Sequence, residues 1–220
     1  MKTIHLILVL ICAFVHTGTL AATYTFAGPT YGNPTPFTAP CATPTCANFT
    51  VAMKQTGSFT TAAPLAPNLG NAFITNLIQS YSFSDGITHF SSADPESHLL
   101  YATVSTDATG NIIGENIAVN RWQTADHGVN GRLNALSINL ASWSNAYCQN
   151  LSDPDVCSLM AEDASTSYVF AHANNGWTRS IASASVPTLG DWGLLALTCL
   201  MVTLGWPRVR QRTAASSAAL

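Results

Sequence analysis

The chain has 220 residues, of which 47% are hydrophobic and 9% are charged, and this length suits one domain or at most two small ones. Residues 23–185 contain four basic and ten acidic side chains, a net charge of −6. Such a surface repels phosphate backbones, so the composition argues against nucleic-acid binding. The apolar residues concentrate in two runs, 4–15 and 192–206, and the chain between them is polar.

The beginning of the chain has the order of a secretory signal peptide. Lys2 precedes the apolar run 4–15, and polar and small residues follow at 17–22, which is the typical charged, apolar and small-residue sequence. We expect signal peptidase to cleave after Ala21 or Ala22. An uncleaved membrane anchor is the alternative, and it is disfavoured because the apolar run is short for a membrane span.

The body of the chain, residues 23–178, is predicted to be an all-β, β-sandwich-like domain built of antiparallel hairpins, because turn signals recur at the spacing typical of sandwiches. The predicted hairpins pair 48–53 with 58–61 across a turn at 55–57, 80–84 with 87–90 across the two-residue loop Asp85-Gly86, and 99–104 with 112–119 across the loop 106–111. We further expect a late strand at 167–171, short helical turns at 133–143 and 159–164, and irregular chain at 28–47.

Four cysteines in the body predict disulfide bonds, because an even number in an exported chain is typical of a disulfide framework. Three pairings are possible, and we favour Cys41–Cys46 and Cys148–Cys157, since each closes a short loop in a Pro- or Asp-rich segment. Each bond would contribute about 2–3 kcal/mol. A zinc site is disfavoured because the spacings differ from those of zinc ligands and no histidine lies beside either pair.

Two groups of polar residues invite a catalytic or metal-binding interpretation. Asp126 beside His127 is a pairing that orients an imidazole for base catalysis, but it lies in a polar loop sequence and the chain has no Gly-x-Ser-x-Gly motif. Asp107, Thr109 and Asn111 offer alternating oxygen ligands for calcium, although a hairpin turn explains the same residues. We therefore expect no catalytic residue, no metal and no cofactor.

Two further sets of residues have a surface or core interpretation. Trp122, Trp143 and Trp177 could stack on sugar rings, whereas the more general role of tryptophan is in a core. An acidic cluster near the second cysteine pair is interpreted as solvated surface, and it consists of Asp153, Asp155, Glu162 and Asp163.

The end of the chain combines a short motif, an apolar helix and a basic tail. Fifteen helical residues, 192–206, reach only about 22 Å, which is less than the hydrocarbon core of about 30 Å. A tryptophan stands at each end of this helix, where interfacial aromatics belong, and arginines after it would stay cytoplasmic. The motif residues are Val186, Pro187, Thr188, Leu189, Trp192 and Gly193, and the basic residues are Arg208, Arg210 and Arg212.

This arrangement resembles the IPTL-CTERM sorting signal of Gram-negative bacteria, in which isoleucine usually stands where this chain has Val186. The resemblance implies that an exosortase, a membrane-embedded cysteine protease-transpeptidase, recognises the motif and cleaves near Pro187-Thr188-Leu189. The chain would then be the substrate of that enzyme. The helix would serve as a temporary tether that raises the local concentration of the motif near the protease.

The body resembles, more distantly, a surface domain common in PEP-CTERM and related exported bacterial proteins. That family has no assigned biochemical activity, so the resemblance implies β-rich structure and export and adds no catalytic residue. The segments that carry it are Gly57–Thr61, Pro64-Leu65, Asn68-Leu69, Ser82–Gly86 and Ser105–Ile112.

The sequence as a whole predicts an exported, non-enzymatic surface or matrix protein that is first tethered to the inner membrane. Signal peptidase and exosortase are its expected processing partners, and the alternatives are a glycan-binding surface module and an extracellular hydrolase. The expected segments are a signal peptide at 1–22, the body at 23–178, a linker at 179–185, a sorting signal at 186–212 (motif 186–193, helix 192–206, basic tail 207–212) and a disordered tail at 213–220.

Overall fold

The computed structural model describes residues 20–39, 46–172 and 176–182, and these residues form two antiparallel β-sheets. They contain one 3-10 turn, Thr75–Leu77, and no α-helix. The strands are β1 (Ala22–Thr30), β2 (Lys54–Thr61), β3 (Ala72–Phe73), β4 (Ile78–Ser84), β5 (His89–Ser91), β6 (Ser97–Thr106), β7 (Ile112–Trp122), β8 (Arg132–Ser137), β9 (Ala141–Asp153), β10 (Val156–Ala161), β11 (Ser167–Phe170) and β12 (Trp177–Ile181). The all-β prediction is confirmed, and the predicted signal peptide and C-terminal helix lie outside the described residues.

The two sheets differ in size and in how far apart their strands lie in the chain. The first sheet has the order β12-β1-β2-β4-β5, so the first and last strands of the body are neighbours. The second sheet has the order β10-β9-β8-β7-β6-β3, and β11 also pairs with β9. In the first sheet, Ala22 pairs with Ile181, and the amide of Ala182 donates to the carbonyl of Ala21 at 2.9 Å. Both ends of the described body therefore lie at one corner.

The main hydrophobic core consists of side chains from both sheets, which therefore pack face to face. Alternate residues of each strand point to the same face, and this alternation places aromatic rings of the first sheet against aliphatic side chains of the second. Tyr24 stacks on Phe59 with ring centroids 5.0 Å apart. The fully buried members include Phe26, Phe83, Phe90, Val104, Ile117, Val119 and Leu136.

A second, smaller core lies on the outer face of the second sheet, the face turned away from the first sheet. It forms because β9 contains a bulge at Asn145, which adopts a φ of 62°, and a bulge bends the strand that carries it. Beyond the bulge, β9 and β10 fold back so that β10 contacts β6. The buried members of this core are Trp122, Leu133, Ala135, Ala146, Cys148 and Cys157.

The predicted helical turns at 133–143 and 159–164 are wrong, because 133–137, 141–143 and 159–161 belong to β8, β9 and β10 and the residues between or after them form no helix. The side chains of Leu133 and Ala135 enter the second core, whereas Leu136 enters the main core. Side chains that alternate between two cores have the period of a strand, and both faces of β8 are apolar because both are covered.

The predicted turn at 55–57 is also wrong, since β2 runs through it without interruption. Gly57 is required there by close packing, because a Cβ atom at this position would lie 2.4 Å from Cδ1 of Phe83.

The predicted hairpin between β4 and β5 exists, but its loop has four residues, 85–88, because the last pair is Ser84 with His89. The hairpin of β6 and β7 and the late strand β11 are confirmed.

Candidate functional site

A groove opens on the outer face of the second sheet, beside the folded-back strand β10. Its floor is made of small side chains from two central strands, Ala118 and Asn120 of β7 and Ala135 and Ser137 of β8. The register pairs Ala118 with Ser137 and Asn120 with Ala135, so all four side chains share one face. The groove has a volume of about 210 Å³, and its walls include Leu100, Tyr101, Leu140, Trp143, Ser158 and Met160.

Two polar atoms in the groove floor make no hydrogen bond to any described residue. Asn120 is 2% exposed, and its Nδ2 donates to the carbonyl of Cys157 at 3.3 Å, but its Oδ1 accepts no hydrogen bond. The Oγ of Ser137, a residue that is 6% exposed, is likewise without a partner in the described part of the chain. Unpaired buried polar atoms are uncommon and cost about 1–3 kcal/mol each. The floor therefore combines apolar surface with unused hydrogen-bonding capacity.

The three tryptophans that the sequence grouped together occupy three different environments. Trp122 is 1% exposed in the second core. Trp177 packs against the rings of Phe26 and Phe59, at centroid distances of 5.2 and 5.4 Å. Trp143 is half-buried and lines the groove. Of these three tryptophans, Trp143 is the one that lines the groove.

The ring of Trp143 is held in place by a carboxylate from a neighbouring strand end. Its Nε1 donates to Oε1 of Glu162 at 2.6 Å. Glu162 follows β10 directly, and β10 pairs with the outer part of β9. This bond between two residues that are 19 positions apart fixes the orientation of the indole against the groove.

The sequence disfavours a catalytic pair of Asp126 and His127, and in the structure His127 contacts two other carboxylates. Its Nε2 lies 2.5 Å from Oε2 of Glu96, and its Nδ1 lies 3.3 Å from Oδ1 of Asp155. The imidazole also stacks on the ring of Trp122 at 5.1 Å. Since both ring nitrogens face protein carboxylates, His127 connects three segments of the fold and has no nitrogen directed at a substrate. Glu96 and Asp155 are distant in the chain, so no local motif announced them.

The calcium candidates Asp107, Thr109 and Asn111 do come together, but as a hydrogen-bonded turn. Oδ1 of Asp107 accepts from the amide and hydroxyl of Thr109 at 2.8 and 2.7 Å, and from the amide of Asn111 at 2.9 Å. These hydrogen bonds hold the pKa of Asp107 well below its usual range. The donors that surround the carboxylate occupy the positions that a cation would need. Residues 20–39, 46–172 and 176–182 contain no cluster of three or more His, Cys, Asp or Glu side chains suited to a metal ion.

The four carboxylates of the acidic cluster are exposed, as the sequence indicated, and three of them also have partners. Asp155 contacts His127, and Glu162 accepts from Trp143. Oδ2 of Asp163 lies 2.5 Å from the guanidinium of Arg132, and this hydrogen bond is the main cause that holds the pKa of Asp163 well below its ordinary value. These residues stabilise the folded-back part of the second sheet.

The disulfide between Cys148 and Cys157 joins β9 to β10 within the second core. The two Cα atoms are 5.8 Å apart, and both residues are buried. Cys46 is also disulfide-bonded, and its predicted partner, Cys41, lies outside the described residues.

Removing this crosslink should loosen the folded-back strands. We expect Cys148→Ser with Cys157→Ser to lower the free energy of unfolding by about 2–3 kcal/mol, because the unfolded chain regains the freedom of the closed loop. Urea unfolding followed by circular dichroism measures the change. Ser152→Ala, at an exposed residue of β9, is the control and should unfold like the wild type. An unchanged midpoint in the double variant would show that the bond adds nothing to stability.

The comparisons with known proteins identify the C-terminal segment. The family model of the IPTL-CTERM motif matches residues 184–212. Neither the curated proteins nor the solved structures give a match. The matched segment contains the predicted motif at 186–193 and all three arginines, and it lies outside the described residues. The chain therefore carries an IPTL-CTERM sorting motif at residues 184–212, and this motif indicates export and processing by a sorting enzyme such as an exosortase.

Two sequence predictions remain open after these comparisons. The resemblance of residues 23–178 to an exported surface domain stays a prediction, because the family match covers only the C-terminal segment. The predicted membrane helix, 192–206, lies beyond the residues that the structure describes. In the described ranges, no helix has the length and apolar character that a membrane span needs.

Proposed function

We propose that the chain is a non-enzymatic protein of the bacterial cell surface or extracellular matrix, delivered by an exosortase-type sorting system. The match of residues 184–212 to the IPTL-CTERM motif carries this proposal. A signal peptide exports the chain, and the helix 192–206 then holds the precursor in the inner membrane. Cleavage near Pro187-Thr188-Leu189 releases the body to the surface or to the medium.

The position of the body within the chain supports this order of events. The first strand begins at Ala22, beside the predicted signal-peptidase site, and the last strand ends at Ile181, before the matched segment begins at residue 184. Cleavage after Ala21 and within 186–193 therefore leaves intact all twelve strands that the described residues form. Cleavage after Ala22 would remove the first residue of β1, which is buried and pairs with Ile181, so the fold favours cleavage after Ala21.

The contacts of the candidate catalytic groups support a non-enzymatic role. Both nitrogens of His127 bond to carboxylates of the protein, and the carboxylate of Asp107 is occupied by its own turn. A base that activates a nucleophile must be free to accept its proton. These residues stabilise loops in the fold, which leaves the hydrolase alternative without a candidate base among the groups that the sequence singled out.

A double substitution in the motif tests the sorting proposal. We expect Pro187→Ala with Trp192→Ala to accumulate as a full-length, membrane-bound precursor, because the protease no longer recognises its substrate. Membrane fractionation with intact-mass spectrometry of native cells gives the length of the accumulated chain. Ser216→Ala with Ser217→Ala changes two residues beyond the basic tail and is the matched control.

The mature wild-type protein supplies the reference masses. Its N-terminus should begin after Ala21 or Ala22, and its C-terminus should lie near 187–189, with any transferred group visible as added mass. Normal loss of the tail in the Pro187→Ala, Trp192→Ala variant would overturn the sorting proposal.

A further inference from the structure

We propose that the groove on the outer face of the second sheet is a binding site for a short, neutral oligosaccharide. This inference concerns the exported body and is independent of the sorting tail. It combines three observations: an oriented aromatic wall, a floor of small residues and unpaired polar atoms in that floor.

The aromatic walls stand on opposite sides of the floor. The register aligns Tyr101 of β6 with Ala118 and Ser137, and it aligns Trp143 of β9 with Ala135 and Asn120. Three inter-strand spacings separate β6 from β9, which is about 14 Å. Tyr101 is 36% exposed, and Trp143 is held by Glu162 at 2.6 Å. The apolar face of a sugar ring can lie against such a ring without further ordering of the side chain.

The unpaired floor atoms distinguish a sugar from a purely apolar ligand. An apolar ligand would cover Oδ1 of Asn120 and Oγ of Ser137 and leave both without a hydrogen bond. Each atom has less than 1 Å² of accessible surface, so sugar hydroxyls can donate to both once the side chains of Asn120 and Ser137 turn toward the groove. The two residues are diagonal neighbours on adjacent strands, typically about 7 Å apart. The site therefore favours a ligand that presents C–H surface and hydroxyl groups together.

The position of the floor argues against a peptide as occupant. Extended peptides usually bind by adding a strand to a free sheet edge. The floor strands β7 and β8 are central, and each pairs with a strand on both sides. Their backbone groups are therefore already used within the sheet.

The charge around the groove argues for a neutral ligand. Among the described residues no lysine or arginine lines the groove, and the carboxylate of Glu162 accepts a hydrogen bond from the wall residue Trp143. An acidic sugar would be repelled by this carboxylate without a compensating cation.

A second hollow, bounded by residues 61–66 and 72–79, is also mainly apolar. It contains no unpaired buried polar atom among the described residues, so it lacks the combination of apolar surface and free hydrogen-bonding groups that the groove has.

Ligand-observed NMR on the full-length chain tests the proposal. The chain is kept in dodecylphosphocholine, because glycoside detergents would compete, and the probes are cellotriose, maltotriose and tri-N-acetylchitotriose. We expect saturation transfer to at least one of them, with trigalacturonate bound about tenfold more weakly or not at all. Trp143→Ala should weaken binding about tenfold. Phe73→Ala removes an exposed aromatic outside the groove and should bind like the wild type.

A second variant separates a binding role from a structural one. Ser137→Ala removes a buried hydroxyl that has no partner in the described protein, so the thermal unfolding midpoint should stay constant or rise. The affinity for the same sugar should fall about fivefold, because a hydrogen bond to the ligand is lost. The proposal is wrong if no neutral probe binds, if trigalacturonate binds best, or if affinity survives both Trp143→Ala and Ser137→Ala. Tail processing is expected to stay normal in both variants, whatever the binding result.

Discussion

Asp85→Asn should remove most of the pH dependence of stability between about pH 4 and pH 7, and it should stabilise the protein at neutral pH. Asp85 is fully buried. Its Oδ1 accepts the amides of Ile87 and Thr88 at 2.9 and 2.6 Å, whereas its Oδ2 has no partner among the described residues. Burial raises the pKa of Asp85 to about 7 from 3.8, although the two amide hydrogen bonds oppose the shift.

The direction of the effect follows from where the proton is bound. Between pH 3.8 and about 7 the folded protein keeps the Asp85 carboxyl protonated, while the unfolded chain loses that proton. Folding therefore takes up a proton in this range, and the free energy of unfolding falls as the pH rises. From the acid end to the neutral end of this pH range, the free energy of unfolding falls by on the order of 4 kcal/mol.

Burial also raises the pKa of Glu115, which adds to the same trend as Asp85, whereas three other shifted carboxyl groups act in a different pH range. The pKa values of Asp94, Asp107 and Asp163 are lowered in the folded protein. Their stabilising contribution is complete above the ordinary aspartate pKa and is lost only below about pH 4. These three groups therefore do not change the slope of stability against pH between about pH 4 and pH 7, where Asp85 acts.

Urea unfolding at a series of pH values between about 4.5 and 7.5 measures the slope. Asparagine keeps the oxygen that accepts both loop amides, but its Nδ2 is buried without a partner. We therefore expect the free energy of unfolding at pH 7.5 to rise by about 2 kcal/mol, which is less than the full effect of the Asp85 proton. Asp153→Asn, which changes an exposed carboxylate on β9, should retain the wild-type slope. An equally steep slope in Asp85→Asn would mean that another group binds the proton.

Trp122→Ala is the substitution expected to cause the largest loss of stability, about 3–5 kcal/mol. The indole is 1% exposed, stacks on His127, and donates from Nε1 to the carbonyl of Asp155 at 2.7 Å. Alanine would leave a cavity in the second core and an unpaired carbonyl at the β9–β10 turn.

Two comparison variants separate the packing from the hydrogen bond. Trp122→Phe keeps a ring but loses the donor, and it should cost about 1–2 kcal/mol. Trp143→Ala, in the groove wall, should cost about 1 kcal/mol or less, because the ring is only half-buried. Urea unfolding of the three variants ranks their losses of stability. Similar losses of stability for Trp122→Ala and Trp143→Ala would contradict the placement of the first indole in the core and the second in the groove wall.

Local patterns predicted the parts of the fold that depend on local chemistry. The hairpin of β6 and β7 was found because alternating residues flank a loop whose Asp107 carboxylate closes the turn on itself. The C-terminal motif was found for the same reason, since its residues and their spacing are continuous in the sequence.

The remaining features depend on partners that are far apart in the chain. The apolar pattern of 133–143 was taken for helix because both faces of β8 are covered, the outer one by β10. Gln55 was placed in a turn, yet it is buried in β2, where its Nε2 donates to the carbonyls of Ser137 and Ala141 at 3.1 and 3.2 Å. No local signal announces a contact across more than 80 residues.

The sequence indicates the three tryptophans only as possible sugar-stacking residues and does not predict the groove. Composition alone cannot separate Trp143 from Trp122, because both indoles lie on the outer face of the second sheet and differ in how completely their neighbours bury them. Asn120 and Ser137 gave no signal at all, since their significance comes from hydrogen bonds that the fold leaves unmade.

The pairing of β1 with β12 links the completion of folding to the order in which the chain crosses the membrane. These strands stand at opposite ends of the body, so closing the first sheet spans nearly its whole length, and such distant pairings form late. In a chain exported from its N-terminus, β1 waits beside β2 until residues 177–181 have emerged. That moment directly precedes the arrival of residues 184–212 at the membrane. Under the proposed sorting route, the motif therefore reaches the sorting enzyme only when the described body in front of it can finish folding.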